Sequence, residues 1–403
     1  MNAEPDDYRW LTGEEAGRVL AAEANSTDAL ALISRLRKTL SAARSALVAE
    51  QIDLRRRAAK KFARAAEMFF TKRGLEQATD DVTARYKAAR FPADASIADL
   101  CCGIGGDLLA LGNRGAAIGY DLDEPTAILA AANCRSLSAA EPERLRAAVV
   151  CAKADVAQVA DVAAWHVDPD RRPSGRRTTH IELHEPSIET LDSLLAASEH
   201  AAIKLAPGSD PWPAWEVRAE WEWISLGGEC RQLVAWFGDL TREHGKRRAT
   251  TLSRDGTPRS LCGTSDEALP YDAQLPVAEL GRYLHEPDAA ILAAKLVSVA
   301  GREHGLSSIF TGSAYLTSDA PIVDDAAWTS FEISEAIPYD VRKLRAWLAA
   351  RNIGRLEIKK RGVDLDIERL RGELKLRGDE TGCLILIRRG DRVTAVVARR
   401  LPA

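Results

Sequence analysis

Several features that define other protein classes are absent from this sequence of 403 residues. It has no run of about 18 apolar residues, the length that a membrane-spanning helix needs. Its seven cysteines are scattered and none forms a Cys-x-x-Cys pair, which argues against a zinc ribbon or an iron–sulfur centre. Residues 1–7 are acidic, unlike the start of a signal peptide. We therefore expect a reduced, cytoplasmic protein without a metal.

Charge is unevenly distributed along the chain, although the net charge is only -4. Residues 340–403 contain 17 Lys or Arg and 9 Asp or Glu, a net charge of +8, which leaves -12 for the rest of the chain. A basic module in an acidic protein is typical of a surface that binds a polyanion. Charge runs are also common on solvated helix faces, and this alternative stays open. A weaker basic cluster lies at residues 55–64.

A glycine-rich loop separates a predicted strand from a predicted helix at residues 97–111. An apolar run that contains Asp99 leads to Gly103, Gly105 and Gly106. Glycine allows the backbone to approach a ligand closely, because it has no Cβ. The spacing is not the dinucleotide fingerprint Gly-x-Gly-x-x-Gly, and the Lys-Ser or Lys-Thr of a phosphate loop does not follow. The alternative is a tight structural turn.

Two further apolar runs end in acidic residues, as successive strands of a βαβ unit do. The run 116–120 precedes Asp121 and Asp123, and the run 147–152 precedes Asp155. A carboxylate at the end of the second strand can accept both hydroxyl groups of a ribose, so Asp121 is the first candidate for this role and Asp123 the second. Asp123 also fits the start of a helix, where acids are common.

The glycine loop and the acids that follow resemble the first motifs of class I S-adenosylmethionine-dependent methyltransferases. This resemblance implies an α/β fold with a Rossmann-like, seven-stranded sheet that ends in an antiparallel hairpin. It implies S-adenosyl-L-methionine as the cofactor, bound by Asp99, Cys101, Gly103, Gly105, Asp121 and Asp155. In this family an acid just past the third strand, here Asp155, contacts the adenine amino group.

A fourth predicted strand, 163–167, is followed by Asp168 and Pro169. Family members that methylate an exocyclic amine have an (Asp/Asn)-Pro-Pro-aromatic motif here, so the resemblance makes Asp168 and Pro169 the candidate catalytic residues. Two carbonyl oxygens can accept hydrogen bonds from an amino nitrogen and aim its lone pair at the methyl group. The chain departs from this motif, because Asp170 replaces the second proline and Arg171 the aromatic residue, which leaves the target atom open.

The two arginines after this motif, Arg171 and Arg172, are candidates for binding a substrate phosphate. The alternative is a charged turn after a strand.

The sequence predicts four regions, which are a helical segment, a methyltransferase domain, a linker and a smaller α+β domain at residues 1–90, 91–242, 243–270 and 271–403. The last region resembles the THUMP-like C-terminal domain of certain bacterial methyltransferases, on the segments 283–288 and 356–362. True THUMP domains bind structured RNA. The resemblance therefore implies RNA as a partner, and the predicted contacts in this region are Lys359, Lys360 and Arg361.

The function that these observations favour is methyl transfer to a nucleotide of structured RNA, either tRNA or rRNA. No Pro-Cys dipeptide occurs, which argues against a cysteine nucleophile. One alternative is a methyltransferase for a protein or small molecule, on which the basic surface is incidental. Another is a non-catalytic RNA-binding protein with a vestigial cofactor fold. Salt-sensitive RNA binding separates the first alternative from the favoured function.

Overall fold

The computed structural model describes residues 3–140, 145–171, 178–264, 275–310, 313–389 and 392–402. The chain divides into two compact units. The first consists of Met1–Leu226, Arg231–Lys246 and Arg254–Pro258, and the second of Gly227–Cys230, Arg247–Ser253 and Arg259–Ala403. Among the described residues, no helix is both long and apolar enough to cross a membrane.

Helices open the first unit, as the apolar pattern of the N-terminal segment predicts. They are α1 (Pro5–Leu11), α2 (Glu14–Glu23), α3 (Ala29–Leu36), α4 (Ala42–Ala58), α5 (Lys72–Gln77) and α6 (Asp81–Ala88). Side-chain oxygens accept backbone N–H groups at several N-termini, including those of Ser41 before α4 and Thr71 before α5. The apolar faces of α1 to α4 meet in one core that includes Leu11, Leu32 and Leu47.

Seven strands of the first unit follow the order β3-β2-β1-β4-β5-β7-β6 in their sheet. Their bounds are β1 (Ser96–Leu100), β2 (Ala116–Asp121), β3 (Ala147–Cys151), β4 (Ala164–Val167), β5 (Ala201–Leu205), β6 (Glu220–Leu226) and β7 (Glu229–Trp236). The first five are parallel, and β7 is antiparallel to β5. A turn of two glycines, Gly227 and Gly228, joins β6 to β7, and both have positive φ. The predicted α/β class and terminal hairpin are confirmed.

The helices between these strands are α7 (Gly106–Gly112), α8 (Glu124–Ala140) and α9 (Ile188–Ala197). Because β1 pairs with both β2 and β4, its carboxyl end is flanked by theirs. Asp99 on β1 lies opposite Gly119 on β2 and His166 on β4. The loops after these three strands therefore meet at one edge of the sheet, which is where ligands bind in open α/β sheets.

The second unit contains a seven-stranded sheet in the order β11-β12-β10-β13-β16-β15-β14. The bounds of its elements are β8 (Arg247–Leu252), β9 (Pro258–Gly263), β10 (Tyr283–Pro287), α10 (Ala289–Ala293), α11 (Val297–Glu303), β11 (Ser307–Ser308), β12 (Leu316–Ser318), β13 (Trp328–Pro338), α12 (Val341–Ala350), β14 (Ile353–Arg361), α13 (Ile367–Leu374), β15 (Glu380–Arg389) and β16 (Arg392–Arg400). Leucines of α12 and α13 form a core with one face of this sheet, including Leu344, Leu370 and Leu384. The α+β class expected for this region is confirmed.

The predicted linker at 243–270 differs from the structure, because β8 and β9 lie within it. Thr250 and Thr251 in β8 are both buried. A buried strand with polar side chains has no apolar alternation, so the sequence pattern did not reveal it.

Candidate active site

The loop between β1 and α7 has left-handed backbone at three positions. The φ angles are 54° at Cys101, 56° at Gly103 and 91° at Gly105. A Cβ added at Gly103 would meet no atom within 4 Å, so this part of the loop faces open space. A Cβ at Gly106 would instead lie 2.9 Å from the carbonyl oxygen of Thr79. The loop therefore leaves room for a ligand at Gly103, while the start of α7 packs tightly against the protein.

Asp121 lies at the end of β2 and is tied to the glycine loop. Its Oδ2 accepts the backbone N–H of Gly103 at 2.9 Å, and its Oδ1 accepts that of Asp123 at 3.0 Å. Burial raises the pKa of the carboxyl group, and these two bonds oppose the rise. Each oxygen of a carboxylate has a second lone pair, so Asp121 can still accept two hydroxyl groups.

Asp155 follows β3 and is exposed. Its side chain accepts the backbone N–H of Ala157 at 2.9 Å and caps a short turn. Two apolar side chains beside the acids are also exposed, Leu122 by 70% and Val156 by 40%. The structure thus gives Asp155 a local capping role, and its contact with an adenine stays a prediction.

Asp99 is completely buried and faces the interior of the sheet. Its Oδ1 lies 2.7 Å from Nδ1 of His166, and its Oδ2 has no hydrogen-bond partner among the described residues. Nε2 of the same imidazole lies 3.4 Å from Nζ of Lys87, which forms a 2.7 Å ion pair with Asp107. Burial opposes ionisation of Asp107, but Lys87 and His166 hold the pKa of this carboxyl group well below its ordinary value.

This buried network continues from Asp107 to the predicted catalytic loop. The hydroxyl of Thr79 donates to Asp107 at 2.7 Å, and Nζ of Lys204 donates to the same hydroxyl at 3.1 Å. Lys204 also forms a 2.5 Å ion pair with Oδ2 of Asp168. Asp168 is half-buried, and its backbone N–H donates to the carbonyl of Leu100 at 3.2 Å. The structure therefore holds Asp168 beside the end of β1, with one carboxylate oxygen engaged.

Asp170, which stands where the family motif has its second proline, anchors helix α5. Its Oδ2 accepts Nη2 of Arg73 at 2.6 Å, and its Oδ1 accepts Nε2 of Gln77 at 3.4 Å. Its backbone pairs with that of Glu185. A proline has neither a carboxylate nor an N–H, so it could make none of the side-chain bonds and only half of the backbone pair. The departure from the motif thus fastens α5 to the Asp168 loop.

Of the two arginines predicted to bind phosphate, Arg171 is half-buried and its carbonyl accepts the N–H of Thr178 at 3.0 Å. Arg172 lies outside the described residues. Pro169 is buried between Asp168 and Asp170.

The basic residues predicted on β14 are engaged within their own unit. Nζ of Lys359 lies 2.5 Å from Oε2 of Glu286, and Arg361 lies 3.8 Å from Oε1 of the same carboxylate. Nζ of Lys360 donates to the carbonyl of Leu365 at 2.6 Å. The charges of Lys359 and Arg361 are therefore partly neutralised by Glu286, while Lys360 is held by a neutral carbonyl. The sequence spacing did not indicate these contacts.

The weaker basic cluster at residues 55–64 also serves local structure. Arg55 donates to the carbonyl of Met68 at 2.8 Å and lies over the ring of Phe69. Lys61 donates to the carbonyl of Leu75 at 2.8 Å, near the end of α5. Both side chains stabilise the N-terminal helices.

The residues that sequence reasoning missed are Lys87, Thr79 and Lys204. Lys204 could have been identified from the sequence, because it is a lysine inside the predicted buried strand 201–205. A lysine is rarely buried without a partner, so its position predicts a nearby carboxylate. Lys87 and Thr79 lie in helical and loop segments without such a contrast.

A family model described as THUMP domain-like matches residues 328–400. Two Mycobacterium tuberculosis proteins, from strains CDC 1551 / Oshkosh and ATCC 25618 / H37Rv, are each 32% identical to the chain over 375 residues. The matches cover 88% of this chain and 97% of each relative. Both relatives are named uncharacterized S-adenosylmethionine-dependent methyltransferases.

The fold has a counterpart of full length among crystal structures. A protein from Porphyromonas gingivalis W83, named as a candidate methyltransferase, superposes with a TM-score of 0.78 at 20% identity, and the match covers 100% of both chains. The cofactor is S-adenosyl-L-methionine, and the chain belongs to the family of S-adenosylmethionine-dependent methyltransferases that carry a THUMP-like C-terminal domain.

Proposed function

We propose that this methyltransferase acts on a nitrogen atom of a nucleotide in structured RNA, either tRNA or rRNA. The observation that carries the proposal is the half-buried carboxylate of Asp168, fixed by Lys204 beside the end of β1. This carboxylate is an acceptor for an N–H group at the edge of the sheet where the cofactor-binding loop lies. The THUMP-like match at 328–400 supports RNA as the molecule that presents the group.

The residues at the sheet edge fit S-adenosylmethionine. Asp121 has two lone pairs available for the ribose hydroxyl groups, and the backbone at Gly103 faces open space. The exposed side chains of Leu122 and Val156 provide an apolar surface for the adenine, with Asp155 beside them. When bound, the cofactor supplies a methyl group on a positively charged sulfur.

Asp168 would position the acceptor without removing its proton in advance. Lys204 occupies Oδ2, and no other described residue bonds Oδ1, so this oxygen can accept a hydrogen bond from the substrate N–H. The Pro169 carbonyl is the second predicted acceptor. Two such bonds orient the nitrogen lone pair toward the methyl group, and alignment of this kind lowers the barrier without acid–base chemistry.

Asp99 and Cys101 have a structural role in this proposal, in contrast to Asp121 and Asp155, which would contact the cofactor. The carboxylate of Asp99 is buried behind the loop and contacts His166. Cys101 supplies the left-handed residue at which the chain leaves β1. Both shape the loop, and neither needs to touch the cofactor to do so.

The test is transfer of radiolabelled methyl groups from S-adenosylmethionine into total RNA from a strain that lacks the gene. The native protein should label one RNA size class. Asp168→Ala should lower the rate at least about 100-fold, as loss of a positioning or electrostatic group does. Asp161→Ala, at an exposed position in the same unit, is the matched control and should retain full activity.

The outcomes separate the parts of the proposal. Retained labelling by Asp168→Ala, with cofactor binding unchanged in calorimetry, would remove Asp168 from the site. Absence of label in any RNA, with the cofactor bound by the native protein, would contradict RNA as the acceptor.

A protein or small-molecule acceptor is the second candidate. The ion pairs of Lys359 and Arg361 with Glu286 favour it, because they weaken the predicted RNA-binding strand. Label in the protein or small-molecule fraction of the same extract would support this candidate.

A further inference from the structure

An open cavity of about 330 Å³ lies at one end of helices α12 and α13 in the second unit. Its lining comes from α12, from the start of β14 and from the end of α13 with the residues that follow it, and includes Arg345, Leu348, Ile353, Lys375, Leu376 and Arg377. Eight residues from three segments line the cavity, and none of the eight is acidic. We call this cavity the cationic cleft.

The cations of the cleft differ from those on β14. Arg345, Lys375 and Arg377 are all exposed, and no ion pair or side-chain hydrogen bond engages them within the described part of the chain. Lys359 and Arg361 are instead paired with Glu286. Unpaired cations around one cavity create the positive potential that attracts an anion, whereas paired cations do so weakly.

The apolar side chains of the cleft lie beneath its cations. Leu348 and Leu374 are buried, Ile353 is almost as well covered, and Leu376 is half-buried. A cavity of this volume is near the lower limit for small-molecule sites, which is enough for one flat heterocycle. Apolar side chains beneath cations suit a molecule that has a hydrophobic face and a phosphate.

The left-handed backbone at Lys375 contributes to this arrangement. Its φ of 48° ends α13, and Leu374, Lys375 and Leu376 at this turn all line the cavity, with the lysine exposed. Each of the two arginines has a planar guanidinium group that can form two parallel hydrogen bonds to one phosphate or stack on a base.

We propose that the cationic cleft binds an unpaired nucleotide of single-stranded RNA. Arg345, Lys375 and Arg377 hold the phosphates. The base lies against the half-buried Leu376, above the buried Leu348 and Ile353. This inference rests on the proposed function, since it assigns the contact by which the second unit holds the RNA substrate. It moves that contact from β14 to α12 and the segment after α13.

The experiment measures binding of the full chain to a fluorescent oligouridylate and to an RNA duplex of the same length by anisotropy. The charge variant combines Arg345→Gln, Lys375→Gln and Arg377→Gln. A second variant, Ala349→Leu, narrows the cavity at an exposed helix position without a change of charge. The matched control combines Arg37→Gln, Lys38→Gln and Lys60→Gln, three exposed cations of the N-terminal helical region.

The native protein should bind the single strand more tightly than the duplex. The charge variant should bind it at least about tenfold more weakly, and its slope of log affinity against log salt should be smaller by about 2, as expected for three lost phosphate contacts on a single strand. Ala349→Leu should weaken single-strand binding with the slope unchanged. The control should match the native protein, and thermal melting should show that all variants fold.

Each other outcome overturns a stated part. Native affinity in the charge variant, while the native protein binds RNA, would reject the cleft and leave RNA methylation standing. Unchanged binding by Ala349→Leu with equal affinity for the duplex would reject the nucleotide site in favour of surface attraction. Displacement of the RNA by oligoglutamate of equal length at equal concentration would favour an acidic peptide as the ligand of the cleft.

Native protein that methylates RNA but shows no measurable oligouridylate binding would reject the cleft alone. Native protein that neither methylates RNA nor binds oligouridylate would reject the proposed function as well as the cleft.

Discussion

Two ion pairs, one in each unit of the protein, differ in how far they are buried. In the first unit, Lys87 and Asp107 form an ion pair in which the side chains are 2% and 10% exposed. In the second unit, Lys359 and Glu286 form a pair at 23% and 16% exposure. A buried ion pair loses hydration that its attraction only partly recovers, whereas a pair near the surface keeps part of its water.

The location of the buried charges is informative. The network that contains Lys87 and Asp107 ends at Lys204 and Asp168, the candidate acceptor of the substrate N–H. A fixed network of this kind keeps the Asp168 carboxylate in one orientation. The comparison therefore indicates that the first unit keeps a costly ion pair in its interior, linked to the candidate catalytic loop, whereas the pair of the second unit lies nearer the surface.

The largest expected effect is on the buried pair. Lys87→Met should lower the free energy of unfolding by about 3–5 kcal/mol, because it leaves Asp107 buried without its main cation. Lys359→Met is the matched substitution in the second unit and should cost less than about 1 kcal/mol. Urea denaturation of both variants measures the difference. Equal losses would show that the two units do not differ in this respect.

His285 of the second unit is a buried titratable group whose contribution to stability depends on pH. His285 is completely buried, and its two nitrogens lie 2.9 Å from the hydroxyls of Ser330 and Ser318. Burial, and secondarily the nearby His304, lowers its pKa to about 4.

The unfolded chain takes up the proton of His285 at higher pH than the folded protein does, since an ordinary histidine has a pKa of about 6.5. The stabilisation from neutral His285 is therefore complete above about pH 6.5 and is lost as the pH falls toward 4, by about 3 kcal/mol in total. Unfolding free energies of native protein and His285→Gln across this range isolate the contribution. Parallel curves for the two proteins would contradict it.

A smaller effect should mark Asp121 as part of the cofactor site. Asp121→Ala should weaken S-adenosylmethionine binding by about 1–3 kcal/mol, because two ribose hydroxyls lose their acceptor. The same change in the second unit, Asp366→Ala at the N-cap of α13, should leave cofactor affinity unchanged. Titration calorimetry compares them, and an unaltered affinity of Asp121→Ala would exclude the ribose role.

The smallest expected effect concerns backbone strain. Cys101 and Lys375 both have left-handed φ, 54° and 48°, one in each unit. Cys101→Gly and Lys375→Gly should each raise the free energy of unfolding by up to about 1 kcal/mol, because glycine adopts this conformation without a steric penalty. Thermal unfolding tests both. A loss of stability at Cys101 alone would show that its side chain packs against the loop strongly enough to compensate the strain.

The sequence was sufficient to predict the strands and loops around the candidate cofactor site. Gly103, Asp121 and Asp168 each follow an apolar run, and the carboxyl ends of adjacent parallel strands meet at one edge. That local pattern predicted their proximity. It did not predict the burial of Asp99, because an acid at a strand end faces solvent or interior depending on register.

The sequence was insufficient wherever a side chain meets a distant partner. Lys359 and Glu286 are 73 positions apart, and Lys87 and Asp107 belong to different helices. No periodicity relates such pairs. The basic run on β14 consequently indicated an RNA surface, although Lys359 and Arg361 in this run are paired with Glu286. The unpaired cations of the cleft come from two separate segments, α12 and the residues after α13.

The sequence by itself determined the α/β class, the glycine loop, the order of the acids and the excess of positive charge in residues 340–403. These features follow from local properties, namely the spacing of apolar residues, the backbone conformations that glycine can adopt and the amino-acid composition. Only the tertiary structure decided which charges are neutralised, which carboxylate Lys204 holds and where a cavity opens. Those outcomes depend on long-range packing, because desolvation and ion pairing are set by neighbours that the chain brings together only when it folds.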